Sequence, residues 1–188
     1  MSRTDAPGSA NDEDLEAAKL GDEAAFRRIY RATQPHLARY VSTLVGADAE
    51  DVCSEAWLQA CRDLGKFKGD LEGFRGWIAR IARNRAIDLL RAQQRRPAEP
   101  TSDEALLDRS TTTTVEDDVL AAVSTEVAVR LIAALPPDQA EAVMLRAVMG
   151  LDAKTAAKVL NKRPGAVRTA AYRGLRTLAS QLSRHVTT

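Results

Sequence analysis

The sequence predicts an all-α protein: two small helical domains joined by a flexible acidic linker, the C-terminal one a helix-turn-helix bundle. The chain of 188 residues is 45% hydrophobic but only 4% aromatic, and the alternating pattern typical of strands is nearly absent. Hydrophobic residues recur at helical spacing on both sides of a polar stretch at 97–118. A chain of this length can bury one or two small cores. These observations together favour two helical domains.

Charge is unevenly distributed along the chain, although the formal net charge is only +1. Residues 1–74 carry fourteen acids and nine bases, and residues 75–96 carry one acid and seven bases. Residues 97–118 then carry seven acids and one base, and residues 119–188 carry four acids and ten bases. Two basic blocks separated by an acidic one predict two surfaces that face nucleic acid and an acidic connector.

Several classes of protein are disfavoured by what the sequence does not contain. Cys53 and Cys61 lie eight residues apart on one predicted helix, or about 12 Å, which is beyond disulfide reach, so both are predicted to be reduced thiols. With His36 and His185 as the two histidines, no zinc-ligand spacing exists, and no cofactor is expected. No signal-peptide or transmembrane pattern is present, which predicts a cytoplasmic protein without membrane insertion.

The first predicted helices are bounded by glycine and proline. Residues 1–11 are predicted to be a disordered start, and 14–19 a short helix. Asp22 is the predicted N-cap of the next helix, and Pro35 is predicted to open a further one that Gly46 ends. The predicted inward residues of these two helices are Phe26, Ile29, Tyr30, Leu37, Val41 and Leu44.

Residues 48–64 predict a helix with two different faces. Asp48 is the predicted N-cap, with Asp51 close to a capping-box arrangement. The predicted inner face comprises Val52, Cys53, Ala56, Trp57, Ala60 and Leu64. The predicted outer face comprises Asp51, Glu55, Leu58 and Arg62. A solvated surface and a docking surface for a basic protein helix are equally good interpretations of that outer face.

A basic loop with an aromatic residue at its centre follows this helix. Lys66, Phe67 and Lys68 precede Gly69, which permits a tight turn. Lysines can hold phosphates while a ring offers a stacking platform worth ~1–3 kcal/mol per base, so the pattern suits single-stranded nucleic acid. The alternative, that Phe67 plugs the domain core, is equally open.

The second basic block predicts a long helix from Phe74 to Arg96. Its predicted apolar stripe comprises Phe74, Trp77, Ile78, Ile81, Ala82 and Leu89. The opposite side comprises Arg80, Arg83, Asn84, Ile87 and Arg91. Arg85 and Asp88 are a predicted internal ion pair. The arginines on the opposite side have no predicted neutralising partner within the helix, which favours a nucleic-acid face over a solvated one.

Residues 97–118 predict the flexible linker and hence the domain boundary, because this polar and acidic segment has almost no apolar surface to bury. Helical periodicity resumes from Val119 to Leu135. Pro137 is then predicted to start a helix that Gly150 ends. The C-terminal domain is therefore predicted to be a bundle of about four helices.

Residues 152–178 carry the spacing of a helix-turn-helix. Ala157, Asn161 and Val167 lie four and then six residues apart, the spacing of a small contact residue, a left-handed turn residue and a buried β-branched residue. Asp152 is predicted to cap the first helix. Pro164 then suits the first turn of the second.

The second helix of this motif has predicted inner and outer faces. Helical periodicity predicts that Val167 is buried together with Ala171, Gly174, Leu175 and Leu178. It turns outward Ala166, Thr169, Arg173 and Arg176. Because no acid follows residue 152 while eight bases do, this end of the chain suits a polyanion, and its outward face could enter a major groove. The alternative is a solvated amphipathic helix.

The order of these pieces resembles an extracytoplasmic-function (ECF) sigma factor of the sigma-70 family of bacterial RNA polymerase. The resemblance is carried by residues 48–55 as region 2.2, residues 74–91 as regions 2.3 and 2.4, and residues 135–178 as region 4. It implies an alternative sigma factor, not an enzyme, which binds core RNA polymerase (beta and beta-prime subunits) and directs promoter-specific initiation. It also implies a linker that runs through the polymerase cleft, and an anti-sigma factor as a regulator.

The resemblance further implies three sets of contact residues in this sequence. Those for core polymerase are Asp51, Glu55, Leu58 and Arg62. Those for the minus-10 element, melted to a single strand with a flipped base, are Lys66, Phe67, Lys68, Phe74, Trp77, Arg80, Arg83, Asn84 and Arg91. Those for the minus-35 duplex are Lys162, Arg163, Ala166, Arg168, Thr169, Tyr172, Arg173 and Arg176. The implied domains are residues 12–96 and 119–188.

A stand-alone helix-turn-helix repressor or activator, with a dimerising or sensing N-terminal domain, is the alternative function. Such a protein does not need a second basic helix with Trp77 beside a Lys-Phe-Lys loop, nor an acidic linker. An enzyme is disfavoured, because the sequence offers no Ser/His/Asp arrangement, phosphate loop or metal cluster.

Overall fold

The computed structural model describes residues 10–95 and 126–186, with side chains as far as residue 181 in the last helix. The N-terminal domain contains α1 (Asp12–Lys19), α2 (Glu23–Val45), α3 (Ala49–Asp63) and α4 (Leu71–Arg95). The C-terminal domain contains α5, described over 126–133, and α6 (Pro137–Val143), α7 (Ala153–Leu160) and α8 (Pro164–Val186). No strand occurs in these ranges, and the all-α prediction is confirmed. The predicted linker at 97–118 lies outside the described residues.

Helix α1 begins earlier than the sequence predicts, and the last two residues of the predicted disordered start are part of its cap. Asn11 Oδ1 accepts a hydrogen bond from the Asp14 backbone N–H at 2.9 Å, and Asp14 Oδ2 accepts one from the Asn11 N–H at 3.1 Å. This reciprocal capping box satisfies two backbone donors and fixes the helix start at Asp12. Ala10 is buried. Residues 1–9 lie outside the described residues.

Helix α2 is continuous through Pro35, so the predicted start of a new helix there is wrong. An interior proline removes one backbone hydrogen bond and costs ~3 kcal/mol in an isolated helix. In this fold Ile29, Leu37 and Val41 are fully buried on one face that runs past the proline, and their burial offsets that cost. Gly46 follows the helix with φ +59°, as the prediction of a helix end at this residue requires.

The inner face of α3 is buried as predicted. Trp57 is the centre of an aromatic cluster, and its indole Nε1 donates to Gln34 Oε1 at 2.6 Å. The cluster comprises Phe26, Tyr30, Trp57, Phe67, Phe74 and Trp77. Asp48 makes no side-chain cap, contrary to prediction, because its carboxylate accepts from Gln93 Nε2 of α4 at 2.9 Å.

Both cysteines of α3 are free, as predicted from their spacing. Cys53 is buried, which raises the pKa of its thiol to about 11, whereas Cys61 is exposed. Across residues 10–95 and 126–186, no helix is both long enough and apolar enough to cross a membrane.

Helices α6, α7 and α8 begin where the sequence predicts, whereas the predicted helix start at Val119 lies outside the described residues. Pro137 occupies the first turn of α6, which passes into a single π-helical segment at 144–148 before Gly150. Asp152 caps α7, because its Oδ1 accepts from the Thr155 N–H at 2.6 Å. The amide contacts lower the pKa of the Asp152 carboxyl below its ordinary value.

Candidate nucleic-acid interface

The turn between α7 and α8 has the geometry of a helix-turn-helix. Asn161 ends α7 in the left-handed region at φ 53° and ψ 45°, and it is the one non-glycine residue with positive φ among those the structure describes. Pro164 starts α8, and Val167 is fully buried. These placements confirm the predicted turn. A side-chain amide stabilises this conformation better than most residues can, so the turn does not need glycine.

The predicted outward face of α8 is exposed, and it comprises Ala166, Thr169, Arg173 and Arg176. Ala171 and Gly174 are buried as predicted, but Leu175 is 50% exposed, which contradicts the prediction. At about 100° per residue, Gly174 lies within about 20° of Val167 around the axis, whereas Leu175 lies about 80° away at the edge of the apolar stripe. Helix α8 also approaches α6 so closely that a Cβ at Gly174 would lie 2.7 Å from Val143 Cγ2.

The charges on this face are largely unneutralised. No carboxylate lies within ion-pair distance of Arg168, Arg173 or Arg176 in the part of the chain that the structure describes. Lys162, by contrast, is paired with Asp138 of α6 at 2.6 Å. Arg163 and Tyr172 are exposed beside them. The surface therefore presents fixed positive charge at the end of the domain, which can attract an anionic ligand.

The basic loop before α4 holds its aromatic residue against the protein. Phe67 is half-buried, with its ring centroid 5.8 Å from Phe74 and 5.1 Å from Trp77. Lys68 is exposed, and so is Lys66, which is paired with Asp63 at 3.3 Å. Of the two interpretations of Phe67, this conformation favours the packed one.

Phe74 is fully buried and cannot contact DNA in this conformation, so the prediction that it contacts the minus-10 element is wrong. Its ring packs against Trp57, Phe67 and Trp77 and supports the loop from below. Trp77 is half-buried beside it.

The outward arginines of α4 differ in their partners. Arg80 and Asn84 are exposed. Arg91 lies 3.8 Å from Asp88, with both side chains exposed, so the prediction that it has no neutralising partner is wrong. The predicted pair of Arg85 with Asp88 is also wrong, since Arg85 reaches across to α3.

On α3, Arg85 contacts Gln59 Oε1 at 3.1 Å and Glu55 Oε2 at 3.9 Å. The predicted outer face of α3 is nevertheless exposed. Leu58 is 63% exposed at its centre, with Asp51 and Arg62 also exposed.

Arg83 joins the two domains. Its Nε donates to Glu141 Oε2 of α6 at 2.6 Å and its Nη2 to Oε1 at 3.1 Å, while the Tyr40 hydroxyl donates to Oε2 at 3.0 Å. Hydrogen bonding to Glu141 raises the pKa of the Arg83 guanidinium above its ordinary value. Burial and then the Glu141 charge raise the pKa of Tyr40 well above its usual value. The sequence predicts no partner for Arg83 within its own helix, and the partner that Arg83 has lies on α6 in the other domain.

Two further contacts connect α4 with the start of α7. The Glu72 carboxylate accepts from the Asp152 N–H at 2.6 Å. Gly76 lies against Thr155 so closely that a Cβ at this glycine would overlap the threonine methyl carbon. The helix-turn-helix is thus packed on the second basic helix.

Comparison with known families and relatives shows which family the chain belongs to. Residues 29–96 match Sigma-70 region 2, and residues 126–178 match Sigma-70, region 4. The ECF RNA polymerase sigma-E factor of Escherichia coli strain K12 is 32% identical over 169 residues, which cover 85% of this chain and 87% of that protein. The chain belongs to the ECF sigma factors of the sigma-70 family.

Other relatives of this ECF sigma factor agree with that membership. The ECF RNA polymerase sigma factor BldN of Streptomyces coelicolor is 36% identical over 170 residues, which cover 89% of this chain and 64% of BldN. Two solved structures share the fold, each with a TM-score of 0.61. One is CnrH in complex with the cytosolic domain of CnrY, at 22% identity over 94% of this chain and 99% of that one. The other is the sigma factor RpoE in complex with the anti-sigma factor NepR from Bartonella quintana, at 18% identity over 84% of this chain and 96% of that one.

Sequence reasoning missed the residues that connect the two domains of this ECF sigma factor. Glu141, Tyr40, Glu72 and Gly76 all lie in that contact. One signal was available for Glu141, which is among only four acids in residues 119–188. The spacing of residues along one helix does not indicate a partner on another, so nothing in the sequence pointed to Arg83 as that partner.

Proposed function

We propose that this ECF sigma factor grips a promoter at two points, with residues 12–96 melting and reading the minus-10 element and residues 119–188 reading the minus-35 element. Residues 97–118 connect the two domains as the acidic linker. One observation carries this proposal: among the described residues, exposed arginines without an ion-pair partner lie on both α4 and α8, namely Arg80 in one domain and Arg168, Arg173 and Arg176 in the other. A regulator with a single recognition helix does not need the second surface.

The minus-35 duplex lies along the outward face of α8. Major-groove readout comes from residues that point away from Val167, and the surrounding lysine and arginine side chains contact phosphates. The residues assigned to this element are Lys162, Arg163, Ala166, Arg168, Thr169, Tyr172, Arg173 and Arg176. Lys162 contacts DNA once its ion pair with Asp138 breaks, which is easy because the Asp138 side chain is 74% exposed.

The minus-10 element meets the loop at 66–70 and the exposed side of α4. Lys66 and Lys68 hold phosphates of the melted strand, and a flipped base is captured beside Phe67 and Trp77. Unstacking a base costs a few kcal/mol, and capture offsets that cost, so recognition and melting become one event. Arg80, Arg83, Asn84 and Arg91 complete this surface.

The outer face of α3 docks on core polymerase. It combines the carboxylates of Asp51 and Glu55 with the exposed Leu58 and Arg62. An apolar residue surrounded by charge is the usual composition of a protein interface centre and its rim. We assign this face to the basic helices of the beta-prime subunit.

Reading both elements requires the two domains to separate. The elements lie ~25 base pairs apart, which is roughly 85 Å of B-form DNA at 3.4 Å per base pair. The contact between Arg83 and Glu141 holds the domains side by side, and the same contact occupies a residue assigned to DNA. Binding to polymerase and promoter therefore replaces the Glu141 contact with phosphate.

The chain has no chemistry of its own in this proposal and acts in the cytoplasm, where polymerase and DNA are found. An anti-sigma factor is its expected regulator. The observation behind that expectation is that RpoE of Bartonella quintana, which shares the fold, was solved with the anti-sigma factor NepR.

Run-off transcription with purified core polymerase tests the function. Promoter-dependent transcripts that require this chain support the proposal, whereas DNA binding without any association with core polymerase favours a stand-alone regulator. Within the proposal, Arg173→Ala weakens binding to minus-35 duplex and lowers the salt dependence by about one counterion. Arg31→Ala, an exposed arginine of α2, is the matched control and leaves both unchanged.

A further inference from the structure

Helix α1 contacts the proposed minus-10 loop from outside the segment that the sigma-70 region 2 match covers. The match begins at residue 29, whereas α1 spans Asp12–Lys19. Leu15 is fully buried, and Arg28 of α2 ties α1 down through Asp14 at 2.8 and 2.6 Å. The helix is therefore fixed to the domain core and can act as a support for what it touches.

The first contact of α1 is with the start of α4. Asp12 Oδ1 accepts a hydrogen bond from the Leu71 backbone N–H at 2.7 Å, across 59 residues of sequence. Asp70, the residue before the helix, accepts from the Gly73 N–H at 2.7 Å. The two carboxylates satisfy separate amides of the first turn and complement the positive end of the helix dipole. Asp12 thus fixes the direction in which α4 leaves the loop.

The second contact of α1 is with the aromatic residue of the loop. The Lys19 ammonium lies 5.4 Å from the centroid of the Phe67 ring, within the range of a cation–π interaction. Lys19 is only 13% exposed and is also held by Glu16 at 2.7 Å. The ring closes over the backbone of the loop, because a Cβ at Gly69 would lie 3.1 Å from Phe67 Cζ. Both ends of the loop are therefore held by α1.

We propose that Asp12 and Lys19 are positioning residues for promoter melting: Asp12 caps α4 and Lys19 orients Phe67, so that the loop is already formed when a flipped base arrives. A loop ordered in advance does not lose conformational freedom at the moment of capture. Both residues act on melting, and neither is needed for assembly with core polymerase. The inference rests on the proposed role of the loop at the minus-10 element.

The test uses holoenzyme assembled from the full chain and core polymerase. Asp12→Ala removes the acceptor, and Asp12→Asn keeps an oxygen in the same place. Lys19→Met keeps the aliphatic stem without the charge, and Lys19→Arg keeps a cation. Glu13→Ala, at an exposed neighbour on α1, is the matched control. Melting is followed by permanganate reactivity at the minus-10 element, and closed-complex binding by gel shift at low temperature.

Asp12→Ala and Lys19→Met are expected to reduce melting roughly fivefold, the size of one lost helix cap, with closed-complex binding unchanged. Asp12→Asn, Lys19→Arg and Glu13→Ala are expected to melt the promoter as the parent chain does. Equal losses of melting and closed-complex binding in Asp12→Ala, or failure of Asp12→Asn to restore melting, would overturn the inference.

Phe67→Ala separates failure of this inference from failure of the proposed function. If Phe67→Ala melts the promoter normally, the assignment of the loop to the minus-10 element is wrong. If Phe67→Ala is impaired while Asp12→Ala and Lys19→Met are normal, the loop acts as proposed and α1 does not position it.

Discussion

Replacing Glu141 by Gln is expected to separate the two domains and to expose Arg83 to DNA. Glutamine keeps the size of the side chain and one acceptor oxygen, but it removes the charge that faces Arg83. That guanidinium is 21% exposed and makes two hydrogen bonds to the carboxylate, at 2.6 and 3.1 Å. A hydrogen bond to a charged group contributes about 1.5–3 kcal/mol, and hydration of Arg83 after opening offsets part of this.

The substitution therefore shifts the free energy difference between closed and open chains by about 1–2 kcal/mol in favour of the open arrangement, which is roughly 5- to 30-fold in the equilibrium constant. The apparent dissociation constant equals the intrinsic constant divided by the open fraction. When the closed form dominates, affinity for a single-stranded minus-10 oligonucleotide therefore rises by roughly tenfold. Fluorescence anisotropy on the full chain measures this affinity.

Small-angle X-ray scattering gives an independent measure of opening. A compact chain of 188 residues has a radius of gyration of about 16 Å, and separated domains exceed it. Glu126→Gln is the control, because it removes the ion pair between Glu126 and Arg130. These two side chains are 67% and 63% exposed, so their pair contributes little to stability. If Glu141→Gln matches that control in both affinity and size, the ion pair does not hold the domains together and the reasoning is refuted.

Three further predictions follow from single contacts. Gly76→Ala is expected to separate the two domains, because the alanine methyl would overlap the methyl group of Thr155. Adding Thr155→Ser removes the threonine methyl, so the double variant is expected to return to the closed arrangement; identical scattering from the single and double variants would contradict this. Asn161→Val is expected to destabilise the C-terminal domain by ~1–2 kcal/mol in urea unfolding, whereas Asn161→Gly is expected to stay near the parent value, and the reverse order would disprove the role of the left-handed turn. The hydrogen bond from Arg28 lowers the pKa of Asp14 below its ordinary 3.8, so the stabilisation by this carboxylate is present above pH ~4 and is lost as pH falls through the lowered pKa. Asp14→Asn should therefore lower stability more at pH 7 than at acidic pH where the parent carboxyl is protonated, and an equal loss at both would refute the linkage.

The features that one helix determines alone could be predicted from the sequence. Residues three or four positions apart share one face of a helix, so the buried side of α3 around Trp57 follows from periodicity. Asn161 and Pro164 suit only a few backbone conformations, which is why the turn of the helix-turn-helix could be recognised. The prediction failed on α8 at Leu175, which lies at the edge of the stripe, where small differences in packing decide burial.

The features that depend on a second element could not be predicted. Pro35 is tolerated inside α2 because buried residues on both sides of it continue one face. Asp48 and Arg85 each find a partner on a neighbouring helix, although both had a predicted partner or role within their own segment. The same limitation hid the contact of Arg83 with the other domain. Long polar side chains reach several neighbours, and the sequence does not rank them.

The pairing of Arg83 with Glu141 has a consequence for the order of events at a promoter. Because one guanidinium cannot bind a carboxylate and a phosphate at once, the proposed role of Arg83 at DNA predicts weaker DNA binding by the closed chain while it diffuses alone. The face of α3 that is proposed to dock on core polymerase is exposed in the closed chain, so docking there does not require the Arg83–Glu141 contact to break. The proposed function therefore predicts that the chain assembles with core polymerase first and the promoter second, so that free copies do not occupy promoters that they cannot transcribe.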